Sequence, residues 1–595
     1  MSSSDALSIS TSSFAEIDAH FRRRRRANGD GHALLSQLWM AQDNLVRADQ
    51  QAQNEESISV RPAVAYRTQL TLGRVDNANA TAPLNRDMYA ERRNVEAAIS
   101  FLPLVWGRGL TVYLENYEYS CTEQLVSKGV AALLVTTRPE FGVVRNGDAQ
   151  PLDGLFSALR GRQNDEGGLG LWASSPITAE FPTVYAAHVL IEARDRGQRI
   201  PAEVLGALNG WLTRLASTPA STLADGRLRA YAVYLLVRQG IKPDAAISNV
   251  EQELTRRYPQ AWPTDLAAAY LASTYRLMQR TADADRIIGG VPWSTQKRDL
   301  GEETYYDGVV HDAQLLYLLS RHFPARATAA PPAALEAIGA AVSGNRVTSL
   351  SAAYTLLALD AFAKTAGSTG TLTITEIAKD GEQRVLPLPA GAMPKVSIAP
   401  IAARVQFSRT GPASAYYVVN ESGFDRNPPA AAINQGVEII REYVDANGTP
   451  LPRARVGEEF FVRLRLRSTA RDSLPQIAVV DLLPAGVEPV VELQPLTADS
   501  STAGVDPALL RRRAAAASLP VGVPGKSDWF PSHIDVREDR VILYGDLTRD
   551  AGTFIYRVRA NSAGSFQTPP AFAEGMYNRT VTGLSLAGKL EVIKP

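Results

Sequence analysis

The hydrophobic pattern of this 595-residue chain changes its period twice, and that change limits the folds the chain can adopt. Runs that alternate apolar and polar residues, typical of strands, begin at Ile58 and continue to about residue 100. From about Leu102 to Lys364 the period lengthens to that of helices, and alternating runs resume at Gly370. Because the first strand block is too small to bury a sheet face alone, we expect the helices to be inserted within one β-domain.

The helical block contains about a dozen segments joined by short loops, which favours an antiparallel array, most simply a closed ring of helix pairs. After it, the strand patterns VEIIREYVD and FVRLRLRS are separated by a turn that contains Asn447 and Gly448, a dipeptide common in tight hairpins. The predicted fold class is therefore multidomain α plus β. Its expected parts are a segment of unclear role (1–55), a β-domain in two pieces (56–100 and 367–432), the inserted helical domain (101–366) and a C-terminal β-sandwich (433–595).

Composition excludes several classes of function. Lys plus Arg number 62, as do Asp plus Glu, so the chain lacks the positive field that drives nucleic-acid binding. No window approaches the ~18 apolar residues of a membrane span. The first residues, MSSSDALSIS, lack the pattern of a secretory signal. A single cysteine, Cys121, excludes an internal disulfide and a Cys-rich zinc site, and we expect neither a metal nor a cofactor.

Cys121 is the candidate functional residue. It lies in NYEYSCTEQLVSKGVAALL, where an aromatic-rich loop enters a helix, and a lone cysteine there is most often a buried small hydrophobe. Gln124 changes that expectation, because residues three apart at the start of a helix lie on one face within reach of each other. Their thiol and carboxamide can condense, with loss of ammonia, to an internal thioester cross-link. Tyr117 and Tyr119 are the expected walls of the dry pocket that such a bond needs.

A thioester at this position is an acyl donor that a lysine amine or a hydroxyl can capture once, with the Cys121 thiolate as leaving group. Two other interpretations stay open. Cys121 could be the nucleophile of an α/α-toroid enzyme, for which His311 is a conceivable base. Alternatively, the chain could be a structural envelope module in which the thioester is vestigial.

The glycine-rich string QNDEGGLGLW, from Gln163 to Trp172, raises the question of nucleotide binding. No strand pattern precedes it, and it forms neither G-x-G-x-x-G nor a lysine-containing P-loop, which argues against a phosphate site. The string resembles the Gly-aromatic turns at one end of α/α toroids. Trp172 is therefore expected to pack this turn rather than to touch a substrate.

Two regions of the sequence resemble one known family. The string YEYSCTEQLVSKG, preceded by LNRDMYAERRNVEAAISFLPLVWGRGL, resembles the thioester region of bacterial α2-macroglobulins, in which a C-x-E-Q motif opens the helical thioester domain. The strings QGVEIIREYVD, VGEEFFVRLRLRS, VVDLLPAGVE and TFIYRVRANSAGSFQTPPAFAEGMYN resemble the last macroglobulin domain of the same family. The resemblance covers roughly residues 56 to 595.

This resemblance implies an α/α toroid that carries the thioester, inserted in a CUB-type β-sandwich and followed by a macroglobulin-type β-sandwich. It also implies an endopeptidase inhibitor rather than an enzyme, with no catalytic residues. Family members trap proteases when cleavage of a bait segment uncovers the thioester, which then joins the protease through a lysine. The residues at the positions that shield the bond in the family are Tyr117, Tyr119, Met576 and Tyr577.

The chain also departs from the family pattern. Full-length family members carry an array of macroglobulin domains and the bait before the region that this chain resembles. Neither has a counterpart here, so the chain looks like the C-terminal part of such a protein. Complement-type relatives place a histidine about a hundred residues beyond the cysteine, but none lies between His188 and His311, which favours lysine amines as acceptors. The resemblance further implies a monomer in the periplasm, serving bacterial defence, with membrane contact only through an inner-membrane lipid anchor on a missing N-terminal part.

Overall fold

The computed structural model describes most of the chain beyond residue 63. The segment 1–55 and the start of the strand pattern at Ile58 lie outside the described residues. The described residues form two compact units. The first unit comprises Arg67–Arg86 and Ala90–Gly423, and the second comprises Asp87–Tyr89 and the chain from Phe424 onward. The described residues are 64, 66–138, 141, 152–294, 303–343, 346–364, 370–390, 393–411, 413–427, 429, 431–491, 521–523 and 526–594.

The strands of the first unit form two sheets with a common apolar core that includes Val95, Ile374 and Phe407. One sheet has the order β1 (Tyr66–Val75), β8 (Ala415–Phe424), β3 (Asn94–Ser100), β6 (Lys395–Ser397). The other has the order β2 (Asn79–Pro83), β7 (Ala402–Arg409), β4 (Leu372–Ala378), β5 (Gln383–Leu386). Strand β3 pairs antiparallel with both β6 and β8, and β7 pairs antiparallel with both β2 and β4.

All described α-helices lie in the chain between β3 and β4, so a helical block interrupts the β-strand region, as the period changes predict. The helices are α1 (Trp106–Glu115), α2 (Thr122–Thr137), α3 (Asp153–Arg162), α4 (Glu180–Asp195), α5 (Ala202–Ser217), α6 (Leu223–Arg238), α7 (Asp244–Arg257), α8 (Leu266–Leu277), α9 (Thr281–Ile288), α10 (Gly308–His322), α11 (Pro324–Thr328), α12 (Pro332–Ser343) and α13 (Ser349–Phe362).

Alternate helices pack into an inner ring. Helix α2 contacts α4, and the contacts continue through α6, α8, α10 and α13 back to α2. The distribution of apolar residues distinguishes the inner helices from the outer ones. In α13 every residue from Ser349 to Ala361 is buried, as expected for a helix that is apolar nearly all round, whereas the outer helix α7 buries only a stripe formed by Ala246, Ile247, Val250 and Leu254.

The described residues of the second unit form strands and no α-helix. Its core includes Val462, Leu464 and Val479. Alternation in FVRLRLRS places the arginines of β12 (Glu459–Ser468) on the opposite face of that strand from Val462 and Leu464. One sheet has the order β10 (Val437–Val444), β12 (Glu459–Ser468), β17 (Gly552–Ala560), β14 (Val487–Pro489). A second has the order β15 (His533–Arg537), β16 (Arg540–Thr548), β13 (Ser473–Leu482), β19 (Phe572–Gly575), β20 (Thr582–Leu584), β9 (Ile433–Gln435). A third has the order β11 (Arg453–Arg455), β21 (Gly588–Ile593), β18 (Gly564–Thr568).

The turn between β10 and β12 contains Asn447 and Gly448, as predicted. Asp445 Oδ1 accepts hydrogen bonds from the backbone N–H groups of Asn447 and Thr449, and Gly448 adopts φ 84°, which a glycine tolerates best. The connection is longer than a tight hairpin because β11 intervenes before β12. Strands β10 and β12 nevertheless pair antiparallel along their length.

Candidate functional site

Cys121 and Gln124 meet at the start of α2. Cys121 is the N-cap residue, with extended backbone angles (φ −62°, ψ 169°) that turn the chain into the helix. The carboxamide oxygen Gln124 Oε1 accepts a hydrogen bond from the Cys121 N–H at 2.9 Å, and the Cys121 side chain lies against the Gln124 N–H. This is a capping box in which a thiol replaces the usual hydroxyl. It places the two predicted side chains side by side at one helix terminus.

The motif is shielded from water within its own unit. The residues from Cys121 to Gln124 are fully buried, and Tyr119 is only 2% exposed. The rings of Tyr117 and Tyr119 pack edge to face with centroids 5.2 Å apart, and Tyr113 packs against Tyr117 at 5.5 Å. Both predicted aromatic residues therefore lie in the buried segment that leads into the cap.

Glu123, the glutamate of the C-x-E-Q motif, connects the starts of two helices. Its carboxylate accepts hydrogen bonds from Ser127 Oγ at 2.6 Å and from Ser349 Oγ at 2.9 and 3.2 Å. Ser349 is the first residue of α13, so the carboxylate lies near the N-termini of both α2 and α13. Helix N-termini carry partial positive charge, which favours an anion at this position.

An aromatic stack continues from this position. Tyr185 OH lies 3.0 Å from Ser127 Oγ, and its ring stacks on Phe181, which stacks in turn on Tyr305 with centroids 4.5 Å apart. Burial, reinforced by the nearby Glu123 carboxylate, raises the pKa of Tyr185 well above its ordinary value. Tyr185 therefore stays neutral. Its sequence context in α4 reads as ordinary helix core, so no sequence signal separates it from packing residues.

The glycine-rich loop from Gln163 to Trp172 docks on the residue after Cys121. The Thr122 N–H donates to Leu171 O at 3.0 Å, and Thr122 Oγ1 donates to Gly170 O at 2.5 Å. Within the loop Gly167 has φ 79°, and a side chain there would meet the backbone oxygen of Ala207 at 2.7 Å. Trp172 is buried, 8% exposed. The loop serves as a wall for the cap.

His311, the conceivable base for a cysteine enzyme, is engaged elsewhere. It is fully buried, with Nδ1 at 2.7 Å from Tyr306 OH and Nε2 at 2.9 Å from Pro292 O. Both ring nitrogens thus have partners in the connection before α10.

Met576 and Tyr577, the remaining predicted shielding residues, follow β19 in the second compact unit. Met576 is 1% exposed, and its N–H donates to Gln476 O at 3.0 Å. Tyr577 is partly exposed. Because Cys121 belongs to the other unit, shielding of the thioester by this pair stays a prediction.

A second set of buried polar side chains, the Glu192 cluster, lies between the inner helices α4, α6 and α10. His188 Nδ1 lies 2.5 Å from Tyr231 OH, and Nε2 lies 3.1 Å from Tyr317 OH. Glu192 accepts hydrogen bonds from Tyr317 and from the guanidinium groups of three arginines. The members are His188, Glu192, Arg196, Tyr231, Arg238, Tyr317 and Arg321.

The arginines of the Glu192 cluster also pair with two carboxylates outside it. Asp195 lies near Arg238 and Arg321, and Asp360 lies 3.0 Å from Arg196. Burial lowers the pKa of His188 to about 3. The three guanidinium groups also lower this pKa, whereas the Glu192 carboxylate raises it. Although burial opposes it, the arginines hold the pKa of Glu192 well below its ordinary value. At neutral pH the cluster therefore contains a neutral histidine and a carboxylate among three cations.

The described residues contain neither a cluster of metal-ligating side chains nor a membrane-spanning helix. Among them no three His, Cys, Asp or Glu side chains gather as metal ligands would. No helix in the described ranges combines the length and the apolar content that crossing a bilayer requires.

Comparison with known proteins gives consistent matches. Residues 436–579 match a family model described as Bacterial Alpha-2-macroglobulin MG10 domain. The chain is 34% identical over 602 residues to an alpha-2-macroglobulin homolog of Yersinia pestis, covering 99% of this chain and 29% of that relative. It is 27% identical over 564 residues to an alpha-2-macroglobulin of Pasteurella multocida, covering 90% and 28% respectively. The chain thus spans less than a third of the length of these relatives.

Solved structures share the fold. Native alpha-2-macroglobulin from Escherichia coli, spanning domain MG7 to the C-terminus, aligns with a TM-score of 0.72 at 19% identity, covering 91% of this chain and 84% of that one. Salmonella alpha-2-macroglobulin reacted with methylamine aligns with a TM-score of 0.71 at 20% identity, covering 92% and 35%. The mixed α and β architecture described above is common to all three.

Proposed function

This chain belongs to the bacterial alpha-2-macroglobulin family, and from that premise we propose that it is the thioester-bearing part of a protease trap. The capping box formed by Cys121 and Gln124 carries the proposal, because it holds a thiol beside a carboxamide at a buried helix terminus. The proposed activity is single-use inhibition of endopeptidases, without turnover.

The proposed chemistry has two steps. In the first, Cys121 Sγ attacks the carboxamide carbon of Gln124; the sulfur–carbon bond forms, the carbon–nitrogen bond breaks, and ammonia leaves with the thiol proton. In the second, a lysine amine of the protease attacks the same carbon and forms an amide. Cys121 departs as a thiolate, which takes up the proton that the amine releases.

The local geometry supports both steps. Each passes through a tetrahedral carbon with negative charge on Gln124 Oε1, the atom that accepts the Cys121 N–H at 2.9 Å. A backbone donor aimed at that oxygen stabilises the developing charge, as in an oxyanion hole. Burial of Cys121 and Gln124 keeps out water, the competing nucleophile.

Further assignments follow from family membership and are part of the proposal. The closed ring of helices is the α/α toroid. The two sheets whose strands precede and follow it in the chain are a CUB-type sandwich, and the second unit is macroglobulin-type. Met576 and Tyr577 complete the shield over the thioester. The target proteases are bound through lysine, and the whole protein is a periplasmic monomer held at the inner membrane by a lipid anchor.

Intact-mass measurement on the freshly purified chain tests the proposed thioester. The expected mass is lower than the sequence mass by one ammonia, and methylamine should add its own mass while releasing one thiol. The variant Cys121→Ser is the matched control and should show neither change.

Peptide mapping distinguishes a thioester that has hydrolysed from one that never formed. Glutamate at position 124 beside a free thiol would mean that the thioester formed and then hydrolysed. An intact Gln124 beside a free Cys121 in every molecule, with no response to methylamine, would overturn the proposal.

A further inference from the structure

One arginine holds the chain on both sides of Cys121. Arg162 Nη2 donates to Ser120 O at 2.7 Å, and Nη1 donates to Thr122 Oγ1 at 3.0 Å. Nη1 also donates to Leu171 O at 3.0 Å, the carbonyl that accepts the Thr122 N–H. The residues before and after Cys121 are therefore bound by a single guanidinium group, together with the glycine-rich loop.

The position of Arg162 explains how it can reach these partners. It is the last residue of α3 and is 9% exposed, and its guanidinium carbon lies 5.9 Å from the centre of the Trp172 ring. A planar guanidinium fixes the direction of several donors at once, which a lysine ammonium does not. The contacts thus constrain both position and orientation of the turn.

The constrained turn is the one on which thioester geometry depends. Cys121 must keep its extended backbone to present Sγ to the carboxamide carbon of Gln124, and rotation at Ser120 or Thr122 would move the sulfur. A displacement of about 1 Å at a reacting atom lowers such rates by about a hundredfold. Loosening the same turn also opens the pocket to water.

We propose that Arg162 is a positioning residue for the thioester: it orients Cys121 toward Gln124 when the bond forms and holds the glycine-rich loop over the bond afterwards. The inference rests on the proposed function. It assigns to a residue outside the C-x-E-Q motif control over how many molecules acquire the thioester and how long the thioester survives.

The chain offers a matched control in Arg229 of α6. Arg229 is 7% exposed and likewise donates to backbone carbonyls of an adjacent loop, with Nε to Thr218 O at 2.7 Å and Nη2 to Pro219 O at 2.9 Å. Its described partners include no residue of the Cys121 cap. Replacing either arginine removes similar contacts from the same helical block, but only Arg162 touches the turn.

The experiment compares Arg162→Met, Arg162→Lys and Arg229→Met in the full chain. For each variant the fraction of molecules with the thioester is measured by intact mass, its spontaneous hydrolysis by the rate of thiol release, and folding by thermal unfolding. We expect Arg162→Met to lower the fraction well below that of the wild type and to speed hydrolysis about tenfold or more. Arg162→Lys should recover part of both effects, and Arg229→Met should lower only the melting temperature.

Equal thioester fractions and hydrolysis rates in Arg162→Met and Arg229→Met would overturn the inference while leaving the proposed function intact. If Arg162→Met fails to fold, Arg162→Lys decides, because hydrolysis at the wild-type rate in that variant also counts against the inference. A wild-type chain in which every molecule keeps an intact Gln124 beside a free Cys121 would overturn the proposed function first and this inference with it.

Discussion

The Cys121 cap and the Glu192 cluster are both buried polar regions of the same ring of helices, yet they differ in how their groups are satisfied. In the Glu192 cluster each charge faces an opposite charge, as in the contacts between Glu192 and Arg238. In the cap the polar groups are a thiol, a carboxamide and backbone amides, held in contact without an ion pair between Cys121 and Gln124. The ion pairs of the Glu192 cluster hold helices together, whereas an adjacent thiol and carboxamide can react with each other.

The largest expected effect on stability comes from Glu192→Gln. Removing this fully buried carboxylate leaves three guanidinium groups, whose side chains are 4%, 11% and 29% exposed, with only Asp195 and Asp360 as counter-charges. The expected cost is about 3–5 kcal/mol. Urea unfolding measures the loss. The control Glu203→Gln, which breaks an exposed pair with Arg160, should leave the free energy of unfolding nearly unchanged. If the comparison holds, molecules of Glu192→Gln that remain folded keep the wild-type thioester fraction.

Glu123→Gln should have a smaller effect on stability and a larger one on the cap. The variant loses a charged acceptor for Ser127 and Ser349, at a cost of about 2 kcal/mol. Because α2 and α13 are then less firmly joined at their starts, thiol release should also accelerate. Ser349→Ala, which removes one donor only, should show a weaker version of both changes. A stability loss without any change in thiol release would place Glu123 with the purely structural residues.

Stability should also depend on pH through His188. Its pKa is about 3 in the folded chain and near the ordinary 6.5 when unfolded, so the unfolded state takes up the proton first as the pH falls. Stability is therefore full above about pH 6.5 and declines toward pH 3. Between pH 6.5 and 5 the decline is ~1.5 kcal/mol from this residue alone. Glu192 acts in the same direction only below its unfolded pKa. Burial also lowers the pKa of His322 to about 3, so the contribution of His188 is the difference between the wild type and a His188 variant.

The variant His188→Gln tests this assignment by urea unfolding at several pH values. Its stability should fall less than that of the wild type between pH 6.5 and 5, and thioester hydrolysis should not follow the same curve. Parallel pH curves for wild type and variant would remove His188 from the explanation.

The smallest stability effect is expected for Tyr577→Ala, because this side chain is partly exposed. Its free energy of unfolding should change by less than about 1 kcal/mol. If Tyr577 shields the thioester, spontaneous hydrolysis should nevertheless increase, which thiol release measures. An unchanged hydrolysis rate would remove Tyr577 from the shield.

Patterns of period and spacing anticipated much of the structure. The alternation in FVRLRLRS predicts a strand with one buried face, and β12 has that face. The three-residue spacing of Cys121 and Gln124 predicts contact at a helix start, and the capping box provides it. These successes concern groups within one turn or one strand, whose relative positions follow from backbone geometry alone.

The contacts that surround the cap were not predictable in this way. Glu123 and Ser349 are 226 positions apart, and Arg162 and Ser120 are 42 apart. In the sequence, Arg162 is an unremarkable basic residue at a helix end, and Gln163 to Trp172 resembles a glycine-aromatic turn that Trp172 packs. Nothing local indicates that either of them contacts the neighbours of Cys121.

The residue pattern alone predicts where strands and helices form, that Cys121 and Gln124 share the first turn of one helix, and that aromatic residues precede them. The packing of the helices is what brings Glu123 to two helix starts and Arg162 to both neighbours of Cys121. The physical reason is that a hydrogen bond between distant residues depends on where whole helices meet. That meeting is set by the packing of the entire ring, and no local period encodes it.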